Sequence, residues 1–219
     1  ICEENLSGHS WTGFNSFNLM KRIKKTFGNP KIIIFIRSQE DMIQSLYSNY
    51  LISGGVLSFK RLINDINSDG HLVFKKLEYH KLIQQYQNTF GRKNVLVIPY
   101  EKFKKNNIEC LKKILIFSGY KKIESETLKI ENSYINSRIS NLSILPLRLA
   151  NFFSFGPALT PYIRKVFNKI GKKDFKIINQ NIEKNVYKQW ALSNKITQDL
   201  TGLDLAQYKY LISETYEES

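Results

Sequence analysis

The sequence predicts a layered α/β fold built on a parallel sheet, and three features predict it. Two short runs, Lys31-Ile32-Ile33-Ile34-Phe35-Ile36 and Asn94-Val95-Leu96-Val97-Ile98, are continuously apolar and rich in β-branched residues, the pattern of strands buried on both faces. Segments of helical periodicity lie before, between and after these runs, as the crossovers of a parallel sheet require. The 219 residues, 42% apolar and 13% aromatic, suffice for one sizeable core, so residues 1–219 are expected to form a single domain.

In chain order, Ile1-Cys2-Glu3-Glu4-Asn5-Leu6 reads as the exit of a strand with no tail before it, which suggests a chain trimmed on that side. A helix is expected from about Asn15 to Phe27, with Phe17, Met20, Ile23 and Phe27 on one side, and Gly28-Asn29-Pro30 stops it. After the first strand, Ser38 offers an N-cap with Asp41 three residues on, before a helix to about Tyr50 that Gly54-Gly55 breaks. Helical periodicity returns over 57–66 and again over 72–90, ending at Gly91. Past the second strand, Ile108, Leu111, Lys112 and Leu115 share a helix that Gly119 closes. Residues 1–120 thus read as an α/β core and 121–219 as a mostly helical part, with helices over 141–153 and 181–200 and Pro157 and Pro161 punctuating the stretch between. There is no internal repeat and no low-complexity tract.

A net charge of +14 and a pI near 9.6 describe a surface that attracts anions, whether nucleic acid, anionic lipid, acidic glycan or a phosphorylated cofactor. Part of the charge is compositional, since the chain is generally rich in Lys, Ile and Asn. Cys2 and Cys110 lie far apart, and Cys110 falls on the apolar stripe of a helix, where a free thiol packs as a small hydrophobe; a reducing compartment is the simpler expectation. The longest apolar run, Ile32 to Ile36, is too short to cross a bilayer, and no signal-peptide pattern precedes it. His9, His71 and His80 have no ligand-like spacing with one another or with the cysteines, so no metal site is expected.

Ligands of an open parallel sheet sit beyond the carboxyl ends of its strands. Arg37 stands there, with Ser38 at the start of the following helix and Ser45 seven residues on, on the same helix face. A guanidinium gives a phosphate a bidentate, charge-assisted contact, a hydroxyl adds a donor, and a helix N-terminus contributes backbone N–H groups and a favourable dipole. The same spacing also suits Arg37 pairing with Asp41 while Ser45 is an ordinary helix residue.

The stretch from Lys31 through Arg37-Ser38 to Ser45-Leu46-Tyr47 resembles the 3′-phosphate-binding segment of sulfotransferases that use 3′-phosphoadenosine 5′-phosphosulfate (PAPS). Tyr79, Leu82, Tyr86 and Phe90-Gly91, followed by Val95 to Phe103, resemble the family's helix and its strand ending in Tyr-Glu-Asp, with Lys102 in place of the Asp. Asn132-Ser133, Ala191-Leu192-Ser193-Asn194 and Leu200-Thr201-Gly202-Leu203-Asp204-Leu205 are similar to bacterial polysaccharide-type members. The resemblance implies a P-loop-kinase-like three-layer fold with a central parallel sheet and an added helical C-terminal region. It implies transfer of a sulfuryl group from PAPS to a hydroxyl or amino group, most plausibly on a saccharide, leaving 3′,5′-adenosine bisphosphate, with no metal and in a bacterial-like cytoplasm.

Residue by residue, the resemblance assigns Arg37, Ser45, Tyr100 and Arg138 to the cofactor, Tyr100 lying near the adenine. Ile-Cys-Glu-Glu-Asn-Leu is similar to the family's Ser-Ser-Glu-Asn-Leu, which makes Glu4 the candidate base for the acceptor's proton, with Glu3 and His9 as rivals. His9, Trp11 and Phe14 are candidates for the acceptor groove. Duller roles stay open: Glu4 pairing with a lysine, Tyr100 packing in the core, Trp11 and Phe14 as partial core. The family's Gly-rich loop with Lys, which binds the 5′-phosphosulfate, has no counterpart here, so the chain alone is expected to be inactive. Two other classes compete: a basic nucleic-acid-binding module, and a related P-loop phosphoryl-transfer kinase dependent on magnesium and ATP.

Overall fold

The computed structural model describes residues 7–9, 13–68, 73–120, 139–170 and 184–212. Its elements, in chain order, are α1 (Ser16–Phe27), β1 (Ile32–Ile36), α2 (Gln39–Ile52), α3 (Phe59–Ser68), α4 (Val73–Lys76), α5 (Tyr79–Phe90), β2 (Val95–Pro99), α6 (Tyr100–Lys105), α7 (Asn107–Phe117), α8 (Ile144–Phe152), α9 (Gly156–Ile170) and α10 (Lys184–Thr201). The class is α/β, helix-rich around a small parallel sheet, and the described residues after 120 form helices and no strand. Contacts divide the chain into two compact units, Ile1–Gln39 with Leu72–Asn132 and Glu183–Ser219, and Glu40–His71 with Ser133–Ile182.

In the first unit β1 and β2 pair in parallel, with Ile32 opposite Val95 and Ile36 opposite Pro99. Burial on both faces holds for β2, where Val95, Val97, Ile98 and Pro99 are all buried. It fails for β1: Ile33 and Phe35 are exposed while Ile36 is 1% exposed. Side chains alternate along a strand, so Ile33 and Phe35 share one face; there Phe103 of α6 meets Phe35 edge to face at 5.6 Å. Helix α5 buries Tyr79, Ile83, Tyr86 and Phe90, one helical stripe, and lies against β2 and α10. Of the α1 stripe only Met20 is buried, with Thr89 donating to its Sδ at 3.3 Å; Phe17 and Phe27 are about half exposed, contrary to the one-sided pattern of the sequence. Cys110 is buried on α7.

The helical stretch expected over 72–90 is two helices, α4 and α5, and tertiary hydrogen bonds explain the break. The last carbonyls of a helix lack intrahelical partners. Trp190 Nε1 donates to the Phe74 carbonyl at 3.1 Å, and Gln39 Nε2 donates to the Leu77 carbonyl at 3.2 Å. Both donors come from distant segments, so local periodicity carries no sign of them. Helix α10 is fastened by the same means. Trp190, fully buried, packs edge to face on Phe74, and the buried amides of Gln39 and Asn194 exchange two hydrogen bonds, at 2.7 and 3.1 Å. Asn194 Nδ2 also donates to the Leu211 carbonyl at 2.9 Å, which ties down the segment after α10.

In the second unit the turn between α2 and α3 is held by side chains. Tyr47 OH donates to the Leu57 carbonyl, Tyr50 OH accepts the Leu57 N–H, and Asn151 Nδ2 of α8 donates to the carbonyls of Leu51 and Gly55 at 2.9 and 2.8 Å. The stretch with Pro157 and Pro161, expected to be punctuation between helices, is itself helical, as α9. Pro157 falls in the first turn, where an N–H has no helical partner anyway, so the helix gives up at most the bond that Pro161 lacks.

His80 Nδ1 lies 2.8 Å from Ser193 Oγ, and burial pushes the imidazole below its ordinary value of 6.5, with Glu78 opposing. The unfolded chain therefore takes up this proton first as pH falls through 6.5, and stability drops with it. Urea midpoints should fall between about pH 7 and pH 5.5 in the wild type, and the slope should flatten in His80→Gln.

Candidate functional site

Two parallel strands that end in step deliver their next residues side by side. Because Ile36 pairs with Pro99, Arg37 and Tyr100 follow at the carboxyl edge of the sheet. The Arg37 Cζ lies 5.0 Å from the centroid of the Tyr100 ring, a cation–π contact, and the ring is 40% exposed rather than packed in the core. Tyr100 also opens α6 with no loop after β2, which fixes its backbone.

The surrounding backbone is set by three polar side chains. Tyr79 OH donates to the Arg37 carbonyl at 2.7 Å. Glu101 accepts the Ser38 N–H at 2.9 Å through Oε1 and the Tyr210 O–H at 2.9 Å through Oε2. A single carboxylate thus joins the residue before α2, the start of α6 and the segment after α10. It also engages one of the backbone donors at the start of α2, so an anion at Arg37 meets the guanidinium without that N–H. Burial pushes both phenols, Tyr79 and Tyr210, well above their ordinary range; the Glu101 charge pushes them further and Arg37 opposes. Both remain protonated donors at neutral pH.

Of the other residues named from sequence, Ser45 lies half-buried on α2, within the second unit. His9 and Phe14 are exposed and sit at the ends of a tight loop: the His9 N–H donates to the Phe14 carbonyl at 3.0 Å, and the Gly13 N–H to the His9 carbonyl at 2.8 Å. Gly8, at φ +89°, is required there, since a Cβ would come within 2.5 Å of the Gly13 carbonyl oxygen. Lys76 Nζ donates to the His9 carbonyl at 2.8 Å, and burial lowers its pKa to about 8. Glu4, its rival Glu3, Trp11 and Arg138 lie outside the described residues. Among the described residues no group of His, Cys, Asp and Glu could hold a metal ion, and no helix is long and apolar enough to cross a membrane.

The family model described as a sulfotransferase domain matches residues 15–145, well over half of the chain. The chain belongs to the sulfotransferase domain family. The matched span includes Arg37, Ser45, Tyr100 and Glu101, while His9, Phe14 and Tyr210 fall outside it. Among solved structures, the crystal structure of a sulfotransferase from Alicyclobacillus acidocaldarius is similar at 19% identity and a TM-score of 0.45, covering 66% of this chain and 57% of that one. The chain therefore spans little more than half the length of that neighbour. No curated protein matches the chain.

Three residues that shape the site were not assigned from sequence. Glu101 stood in the Tyr-Glu-Lys motif that follows β2, which was a usable signal. Tyr210 reaches Glu101 from 109 residues away, and Lys76 reaches the loop at His9 from 67 away, with no local pattern to mark either.

Tyr210→Phe and Glu101→Gln, separately and combined, should show a coupling of about 0.5–3 kcal/mol in urea unfolding, and strictly additive losses would exclude the shared hydrogen bond. Between pH 8 and 10.5 the folded chain has released the Lys76 proton that the unfolded chain still holds, so stability should rise with pH across that window. The rise should be smaller in Lys76→Met, measured as the wild-type-minus-variant difference.

Proposed function

We propose that this sulfotransferase domain transfers a sulfuryl group from PAPS to a hydroxyl or amino group, on a saccharide acceptor, and that Arg37 and Tyr100 hold the 3′-phosphate and adenine side of the nucleotide. The observation that carries the reading is the meeting of the Arg37 guanidinium and the half-exposed Tyr100 ring at the carboxyl edge of two parallel strands. The residues suit the group. A guanidinium stays charged at any working pH and offers a planar fork to phosphate oxygens, and an exposed aromatic face offers a surface on which a base can stack.

Bound PAPS supplies the sulfuryl group; the chain supplies position and charge. Glu101, by holding the Ser38 amide and the Tyr210 hydroxyl, fixes the backbone from which Arg37 projects. Tyr79 does the same from the Arg37 carbonyl. Such preorganisation matters in group transfer, where a small misplacement of a binding group is costly. Ser45 and Arg138 join the phosphate side on family resemblance, and Glu4 takes the acceptor's proton on the same ground, with Glu3 and His9 as alternatives. The exposed ring of Phe14, with His9 across its loop, supports an acceptor surface at that end, to which Trp11 would add.

Thermal unfolding with 3′,5′-adenosine bisphosphate tests the reading directly. At about 100 times the dissociation constant the ligand should add about 2.7 kcal/mol of stability. Arg37→Ala should remove most of the gain and Tyr100→Ala a smaller part; full retention in Arg37→Ala would exclude the site. Stabilisation by ATP and magnesium in its place would point to phosphoryl transfer, and salt-sensitive binding of RNA or DNA with no nucleotide effect to a nucleic-acid module. In the sulfating enzyme, Glu4→Gln should lower turnover by about 10²–10⁴-fold, with unchanged turnover removing Glu4 from the reaction.

A further inference from the structure

Helices α8 and α9 of the second unit pack on each other and expose an unusual amount of apolar surface. The inward side of α8 is satisfied by Leu147 and Ala150, both buried. Its outward side carries Leu145 and Leu149, one turn apart and 60% and 51% exposed. On α9 Tyr162 and Val166 repeat the arrangement at 69% and 52%. The turn between the helices is the sharpest feature. Phe152, Phe153 and Phe155 are 71%, 60% and 62% exposed, three phenyl rings within four residues.

The turn presents these rings on a fixed backbone. Ser154 adopts a left-handed φ of 61°, its N–H donates to the Asn151 carbonyl at 3.0 Å, and the Phe155 N–H donates to the Ala150 carbonyl at 2.8 Å. Phe152 and Phe153 meet edge to face at 5.2 Å. Scattered exposed apolar residues need no explanation, but a contiguous cluster of this kind marks a surface that something covers.

The charge of the segment says what. From Ile144 to Ile170 the chain carries Arg148, Arg164, Lys165 and Lys169 and no Asp or Glu. Two copies meeting through this face would bring like charges together. An anionic lipid surface supplies the opposite charge, lets long basic side chains reach headgroups, and accepts phenyl rings at the boundary of headgroup and acyl chain. We propose that the α8–α9 pair docks this protein on anionic membranes, with the three-phenylalanine turn as the inserting tip and Arg164 and Lys165 of α9 as its electrostatic partners. The docking is peripheral and independent of the sulfuryl-transfer reading.

Vesicle co-sedimentation tests it. The chain should sediment with vesicles of phosphatidylglycerol mixed into phosphatidylcholine, remain in solution with phosphatidylcholine alone, and be released as salt is raised to about 0.5 M. A variant combining Phe152→Ser, Phe153→Ser and Phe155→Ser should bind at least about tenfold more weakly. Lys165→Glu, an exposed single substitution, should weaken binding separately and gives a second reading if the triple variant does not fold. Failure of the wild type to bind anionic vesicles would overturn the proposal. So would equal binding by wild type and both variants, or a solution dimer that the phenylalanine substitutions dissolve while vesicles capture nothing, which would make a second copy the occupant.

Discussion

The in-register parallel pairing of β1 with β2 is the constraint on which the candidate site depends. With Ile36 set against Pro99, the next residue of each strand has nowhere to go except beside the other, and these are Arg37 and Tyr100. A slip of one residue would turn one of them to the opposite face of the sheet. The pairing is short, five residues a side, so it is braced from outside. Glu101 and Tyr79 grip the backbone around Arg37, and α10 supports the helices behind it through Trp190 and Asn194. Positive charge is thus held at the strand ends by a hydrogen-bonded frame centred on the Glu101 carboxylate.

The two strands, most helices and the position of Arg37 at a strand end could be read from local pattern, because β-branched runs, helical stripes and glycine stops act over a few residues, while Tyr100 was singled out by family resemblance. What escaped was tertiary. The break between α4 and α5 depends on the side chains of Gln39 and Trp190, and a reading of residues 72–90 alone returns one helix. Phe17 and Phe27 share a stripe with Met20, yet whether a stripe is covered depends on the partner and not on the stripe. β1 has the composition of a strand buried on both faces, but Ile33 and Phe35 are exposed on one of them. Over α9 the local pattern misleads because Pro157 is harmless in a first turn and the helix runs on past Pro161 at the loss of one bond, neither of which shows until the start of the helix is known.

The charge of +14 likewise resolves into parts with different surroundings. Arg37 is set against an aromatic ring and hydrogen-bonding groups, while the cations of α8 and α9 accompany exposed phenyl and aliphatic groups in a stretch without acids. Composition sums these together. Their neighbours separate a cation held over one aromatic ring from cations set along an exposed apolar stretch.

The Glu101–Tyr210 and Gln39–Asn194 contacts span 109 and 155 residues. A ribosome releases the partners in each pair far apart in time, so the strand-end frame stays open until α10 and the segment after it have emerged. Closing such long loops carries an entropic cost that grows with their length and slows folding. The backbone around Arg37 is accordingly set only after α10 and the segment beyond it have been made.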